Sequence, residues 1–164
     1  MIRPIRILGD PVLRTPSDPV TRFDEELRAL VDDLFDTIDE DPDGRAGLAA
    51  PQIGVGARVF AYDVPQGRGY LVNPEIELSG EMITEDEGCL SLPGLWFPTA
   101  RYSRAVVTGV DLAGEPVRLT GNGHLARVFQ HETDHLAGKV YVDRLTGDVR
   151  KEALRAIRAA RWSS

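Results

Sequence analysis

The chain has 164 residues, a mass of 18.0 kDa and a formal net charge of −7. That length fits one domain with a sizeable core, and 42% hydrophobic with 27% charged residues is the balance of an ordinary globular protein. The acidic balance argues against a nucleic-acid face over the whole surface, so no DNA partner is expected. No apolar run nears the roughly 20 residues that cross a bilayer, so no membrane is expected either, and one cysteine leaves no internal disulfide.

Met1-Ile2-Arg3-Pro4-Ile5-Arg6 lacks the apolar core of a signal peptide, so a cytoplasmic location is expected. Residues 2–20, with Pro4, Pro11, Pro16 and Pro19, read as an extended segment laid over the core. Phe23, Leu27, Leu30, Val31, Leu34, Phe35 and Ile38 recur at helical spacing and predict a helix over Thr21–Glu40. Thr21 is its expected N-cap, with Asp24 in the first turn. Asp41-Pro42-Asp43-Gly44 ends it. In Gly47–Gly54 (GLAAPQIG) two glycines flank small residues, which allows close backbone approach.

Short strands are predicted at 58–63, at 70–78 with Asn73-Pro74 interrupting, and at 82–84. Gly88 and Pro93-Gly94 mark irregular backbone around Cys89. A hairpin follows over 104–111 and 116–120, joined at Ala113-Gly114. A helix is predicted from Asn122 to Ala137, and a last amphipathic one from Asp148 to Arg161, with Val149, Ala153, Leu154, Ile157 and Ala160 as its apolar stripe. The class is α+β: short, mostly antiparallel strands packed around a central helix, with amphipathic helices towards both ends.

That central helix carries Gln130-His131-Glu132-Thr133-Asp134-His135-Leu136-Ala137-Gly138. Histidines four apart fall one turn above each other, so both imidazoles reach one metal ion. Glu132, next to the first, lies beside that ion, where a carboxylate can take a proton from bound water. The alternative is a helix whose histidines are merely surface groups. A third ligand is not obvious: the extended zinc-protease spacing would put a histidine at Tyr141, and Glu152 downstream is one substitute. Cys89 upstream is the other. Cys89 could equally be an inert buried thiol, but with two imidazoles it makes a sulfur-and-nitrogen set with a position left open, as catalytic sites have. A purely structural site would need a fourth protein ligand, and no second Cys or spare nearby His is present.

GLAAPQIG at 47–54, Glu87–Ser91 (EGCLS) and Gln130–Gly138 (QHETDHLAG), in that order, resemble the three signature motifs of the peptide deformylases, and Ile7–Arg14 is similar to that family's start. The resemblance covers nearly the whole chain. It implies one catalytic domain over 1–164 that removes the formyl group from N-formylmethionyl nascent chains. It implies Cys89, His131 and His135 as ligands of one divalent ion, natively Fe2+, with Zn2+, Ni2+ or Co2+ able to replace it. It implies Glu132 as general base and acid, and the Gln52 amide with the Leu90 N–H as donors to the oxyanion. Gly47 is implied to bind the substrate main chain.

Two positions depart from the family. Arg45 stands where a glycine is usual, two before Gly47. Arg127 stands where some relatives have an aliphatic residue near the methionine pocket beside Val128; its stem could line that pocket with its head in water, or it is a plain surface arginine. Arg101 is expected to pair with Glu87 or to lie on the surface, and Asp134 to orient a ligand imidazole or to face solvent. His124 is read as structural, and Trp96 and Phe97 as groove wall or core. Residues 150–164 hold five basic residues against one acid, a net of +4, which leaves −11 on the rest. Lys151, Arg155 and Arg158 share one face of the last helix, and the resemblance implies a ribosome contact through 149–161.

Overall fold

A computed structural model describes every residue except 42, 43 and 164. Helix α1 spans Glu25–Asp39, and five strands follow: β1 Gly47–Ala49, β2 Val59–Val64, β3 Gly67–Cys89, β4 Leu92–Val110 and β5 Pro116–Asn122. Helix α2 is His124–Leu136 and α3 is Gly147–Ala159. The strands form one antiparallel sheet in sequence order, β1-β2-β3-β4-β5. The α+β class stands.

Alternation along β2 explains the layering. Phe60 and Tyr62 point to one face, where they join Leu71, Ala105 and Val107 and pack on Leu125, Val128, Phe129 and Leu136 of α2. Val59 and Ala61 point to the other, against Leu27, Val31, Leu34 and Ile38 of α1. Every residue of this strand but Asp63, which pairs with Arg68 at the surface, therefore buries its side chain. A third cluster, of Leu92, Phe97, Val140, Tyr141, Val142, Leu145 and Ala153, seats α3 on β4.

Several boundaries move. Helix α1 begins at Glu25, not Thr21: the Asp24 side chain accepts from the Leu27 N–H at 3.2 Å and caps it, which leaves Phe23 outside and exposed. The helix ends at Asp39 with Glu40 as C-cap; of the expected terminating turn, residues 42 and 43 lie outside the described residues. The segments expected at 70–78 and 82–84 are one long strand. The register shifts between Val72 and Glu75 and between Ser79 and Met82, so Asn73-Pro74 and Gly80-Glu81 bulge the strand instead of ending it. Asn73 holds positive φ (52°) because its side chain bonds both the N–H and the carbonyl of Val20. Strand β4 begins at Leu92, not Arg104, so the irregular backbone around Cys89 is a tight reversal between two long strands. On α3, Leu154 is 40% exposed and leaves the apolar stripe, while Ala156 joins the packed side, as does Trp162 beyond the helix end.

Candidate metal centre

The end of β3 and the middle of α2 meet at one point. Cys89 Sγ lies 3.4 Å from His135 Nε2, and His135 Nε2 lies 3.2 Å from His131 Nε2. All three donor atoms fall within 4.8 Å of one another. Ligands about 2.0–2.3 Å from a single tetrahedral ion stand roughly 3.3–3.6 Å apart, so this spacing fits one first-row divalent metal, and Cys89, His131 and His135 form the metal site. Glu152 is exposed on α3 and takes no part in it.

The reason these side chains converge is local. Gln130, just before the first histidine, pins α2 to β4: its amide accepts from the Tyr102 N–H at 3.0 Å and donates to the Tyr102 carbonyl at 2.9 Å. Gly138 ends the motif in the left-handed region (φ 76°), and a Cβ there would press within 2.9 Å of the Arg14 carbonyl oxygen. At the other element, alternation puts Glu87 on the same face of β3 as Cys89. Glu87 Oε2 lies 2.7 Å from His131 Nδ1. A carboxylate only accepts, so Nδ1 donates and the lone pair is left on Nε2, facing the other donors.

Glu87 is held in turn by the Arg101 guanidinium at 3.0 and 2.7 Å, and by Arg127 at 3.3 Å. Arg101 also donates to Asp134 at 2.6 Å, and Asp134 accepts from Arg144 at 2.6 Å. The expected pairing of Arg101 with Glu87 is present. Asp134 neither orients an imidazole nor faces solvent; it is buried between two arginines, and Glu87 does the orienting. Arg127 is corrected as well. Its side chain is only 11% exposed, and its head donates to the carbonyls of Ile83 (2.9 Å), Glu85 (3.2 Å) and Thr99 (2.7 Å), closing the gap between α2 and the β3–β4 hairpin.

Glu132 is 1% exposed, and neither of its carboxylate oxygens finds a hydrogen-bond partner in the protein. Burial pushes its carboxyl up to about 7. Burial alone would lower the pKa of His131, but Glu132, Cys89 and Glu87 outweigh it and hold that imidazole well above its ordinary value. Gln52 is oriented without ambiguity: its Oε1 accepts from the Ala49 N–H at 3.0 Å, so Nε2 points to Ser91 Oγ (3.3 Å) and Cys89 Sγ (3.7 Å).

A cleft of about 200 Å³ opens over these groups, and Arg45, Gly47, Gln52, Leu90, Trp96, His124, Arg127 and Val128 are among the residues that line it. Trp96 is a wall, 67% exposed, whereas Phe97 is core. Arg45 turns away, donating to the Thr37 carbonyl and to Glu40 at 3.1 Å, so its side chain fastens the loop to the end of α1. At Gly47 a Cβ would come within 3.0 Å of both Glu132 Oε2 and Val128 Cγ1.

A mononuclear Cys-His-His centre with a buried free carboxylate in a cleft has the make-up of a metallohydrolase. The family model described as polypeptide deformylase matches residues 2–151. The peptide deformylase of Acidothermus cellulolyticus is 57% identical over 99% of this chain and 89% of its own length. Among solved structures, the peptide deformylase from Thermus thermophilus superposes with a TM-score of 0.89 at 39% identity, covering 96% of this chain and 94% of that one. The one from Synechococcus elongatus, in complex with actinonin, gives 0.87 at 36%, covering 99% and 91%. The chain belongs to the polypeptide deformylase family.

Proposed function

We propose that this protein removes the formyl group from the N-terminal formylmethionine of nascent polypeptides, releasing formate and a free amine. The observation that carries the reading is Glu132, a buried carboxyl with no partner and a pKa near 7, beside three converging metal donors. Cys89, His131 and His135 would hold a divalent ion, which would supply Lewis acidity towards the formyl carbonyl and lower the pKa of water towards neutrality.

The chain's own groups do the rest. Glu132 takes the proton of the attacking water and then hands it to the departing amine, a double duty suited to a carboxyl poised near 7. The formyl oxygen becomes anionic and meets the Gln52 Nε2–H, whose direction the Ala49 N–H has fixed, and the Leu90 N–H at the hairpin tip. Loss of one such donor costs about 2.7–4 kcal/mol of transition-state stabilisation. Strand β1 is the sheet edge, so Gly47 has one side free to pair with the substrate main chain. Val128 and the stem of Arg127 line the methionine pocket, with the Arg127 head anchored outside it. The reading extends to Fe2+ as the native ion, to a cytoplasmic location, and to one catalytic domain.

The basic face of α3 extends it further, to ribosome docking through 149–161. Lys151, Arg155 and Arg158 are all exposed there, and such a face binds RNA phosphate with strong salt dependence. Reversing the three to Glu should abolish ribosome co-sedimentation at low salt and leave turnover of a free peptide intact; undiminished co-sedimentation would refute the docking. The activity itself is tested by formate release from a formyl-Met peptide by anaerobic, iron-loaded protein. No release would refute it.

A further inference from the structure

The extended zinc-protease spacing calls for a third histidine at 141, and this chain has Tyr141 there. The residue is 1% exposed. Its ring lies nearly parallel to that of His131, with centroids 6.3 Å apart and planes 20° apart. Its hydroxyl donates to the Leu95 carbonyl at 3.1 Å. Leu95 belongs to β4, three residues past the Cys89–Leu92 pair that closes the reversal. Tyr141 therefore touches both halves of the metal site: one ligand ring on α2, and the strand that returns from the third ligand. Leu92, Val140 and Val142 pack around it, with Cys89 at the edge of the same cluster.

We infer that Tyr141 is a positioning residue, a strut that sets the distance between the Cys89 sulfur and the two imidazoles. The position that would carry a ligand in the zinc-protease pattern instead holds the cysteine hairpin in place. The ligands come from two elements separated in the chain by β4 and β5, and their sulfur–nitrogen spacing must be right to within a few tenths of an ångström for one ion. A fully buried ring and a bond to a backbone carbonyl resist displacement from both sides. The inference rests on the reading of Cys89, His131 and His135 as the ligand set.

Cobalt(II) is the probe, because its absorption reports sulfur ligation and coordination geometry without turnover. Wild-type protein should show a thiolate-to-cobalt charge-transfer band. In Tyr141→Leu that band should shift, and affinity measured by chelator competition should fall roughly 10–100-fold, the range for groups that support metal ligands. Tyr141→Phe keeps the ring and loses only the Leu95 bond, so it should move both readouts less and in the same direction. Val142→Ala removes packing from the same cluster but keeps the Tyr141 ring and its Leu95 bond, and should move neither. Wild-type spectra and affinities in Tyr141→Phe would overturn the strut, and this holds even where Tyr141→Leu fails to fold. Val142→Ala shifting as far as Tyr141→Leu would overturn it too. Absence of a thiolate band in the wild type would instead refute the ligand set itself.

Discussion

Glu87 Oε2 lies 2.7 Å from His131 Nδ1, and the same carboxylate is gripped by Arg101 through two bonds. The contact fixes which nitrogen of the ligand is free and raises its basicity, while Arg101 fixes the carboxylate. Asp134 on α2 and Arg144 in the turn after it extend this line of alternating charges.

Replacing Glu87 by Gln should therefore weaken metal binding more than it weakens the fold. The amide can no longer neutralise Arg101, and it can present its NH2 to His131 in place of an acceptor. Chelator competition should show metal affinity lower by roughly 10–100-fold. Unchanged affinity would mean that the 2.7 Å contact orients nothing.

Acid sensitivity follows from the same carboxylates. Burial would raise Glu87, but the His131 and Arg101 hydrogen bonds outweigh it and hold its carboxyl well below the usual range. Burial likewise opposes, and Arg144 and Arg101 overcome, the shift at Asp134, which is also held low. Folded values below unfolded ones give stability that is complete above the unfolded values, about 4.3 for Glu and 3.9 for Asp. It is lost as pH falls from there towards the folded values. Glu132, raised to about 7, adds the opposite slope above about pH 4.3. The contribution of Glu87 and Asp134 should be level from about pH 7 to about 5 and then drop, so Asp134→Asn should flatten the fall of the denaturation midpoint below about pH 5. An equally steep drop in that variant would contradict the assignment.

Gly47→Ala tests the closeness of β1 to α2. Its Cβ would stand 3.0 Å from Glu132 Oε2 and Val128 Cγ1, so the carboxylate or the strand must give way. A shift of about 1 Å at a reacting group can cost roughly 100-fold. Turnover should fall at least about tenfold with metal content unchanged, as read by metal analysis beside the formate assay. Full activity would show that Glu132 has room to move without loss.

Much of this centre was legible because helical and strand periods are rigid. A spacing of four from His131 to His135 leaves no other geometry on a helix, and the three strings around Gln52, Cys89 and His131 carried the family. The orienting role of Glu87 was also there to be read: a period of two places it on the thiol's face of β3. Asp134 drew attention because it sits inside the motif, yet two arginines distant in sequence claim it. Thr21 lost the cap to Asp24 because an N-cap is decided by which side chain reaches the first free N–H groups. The single long β3 was hidden because Asn73-Pro74 and Gly80 look like breaks, while one-residue shifts in pairing absorb them as bulges. Leu154 fits a helical stripe but points away from β4, since only tertiary packing decides how much of a stripe is covered.

Glu132→Gln tests the central claim most directly. The substitution keeps size and shape but removes the group that carries the proton, so the protein should bind one metal ion per chain as before and release formate from a formyl-Met peptide at a rate lower by roughly 10²–10⁴-fold. Metal content and formate must be measured on the same sample. A metal-free variant would make Glu132 a ligand, and a metal-loaded variant with near-normal turnover would leave the proton transfer to some other group; either result would contradict the account.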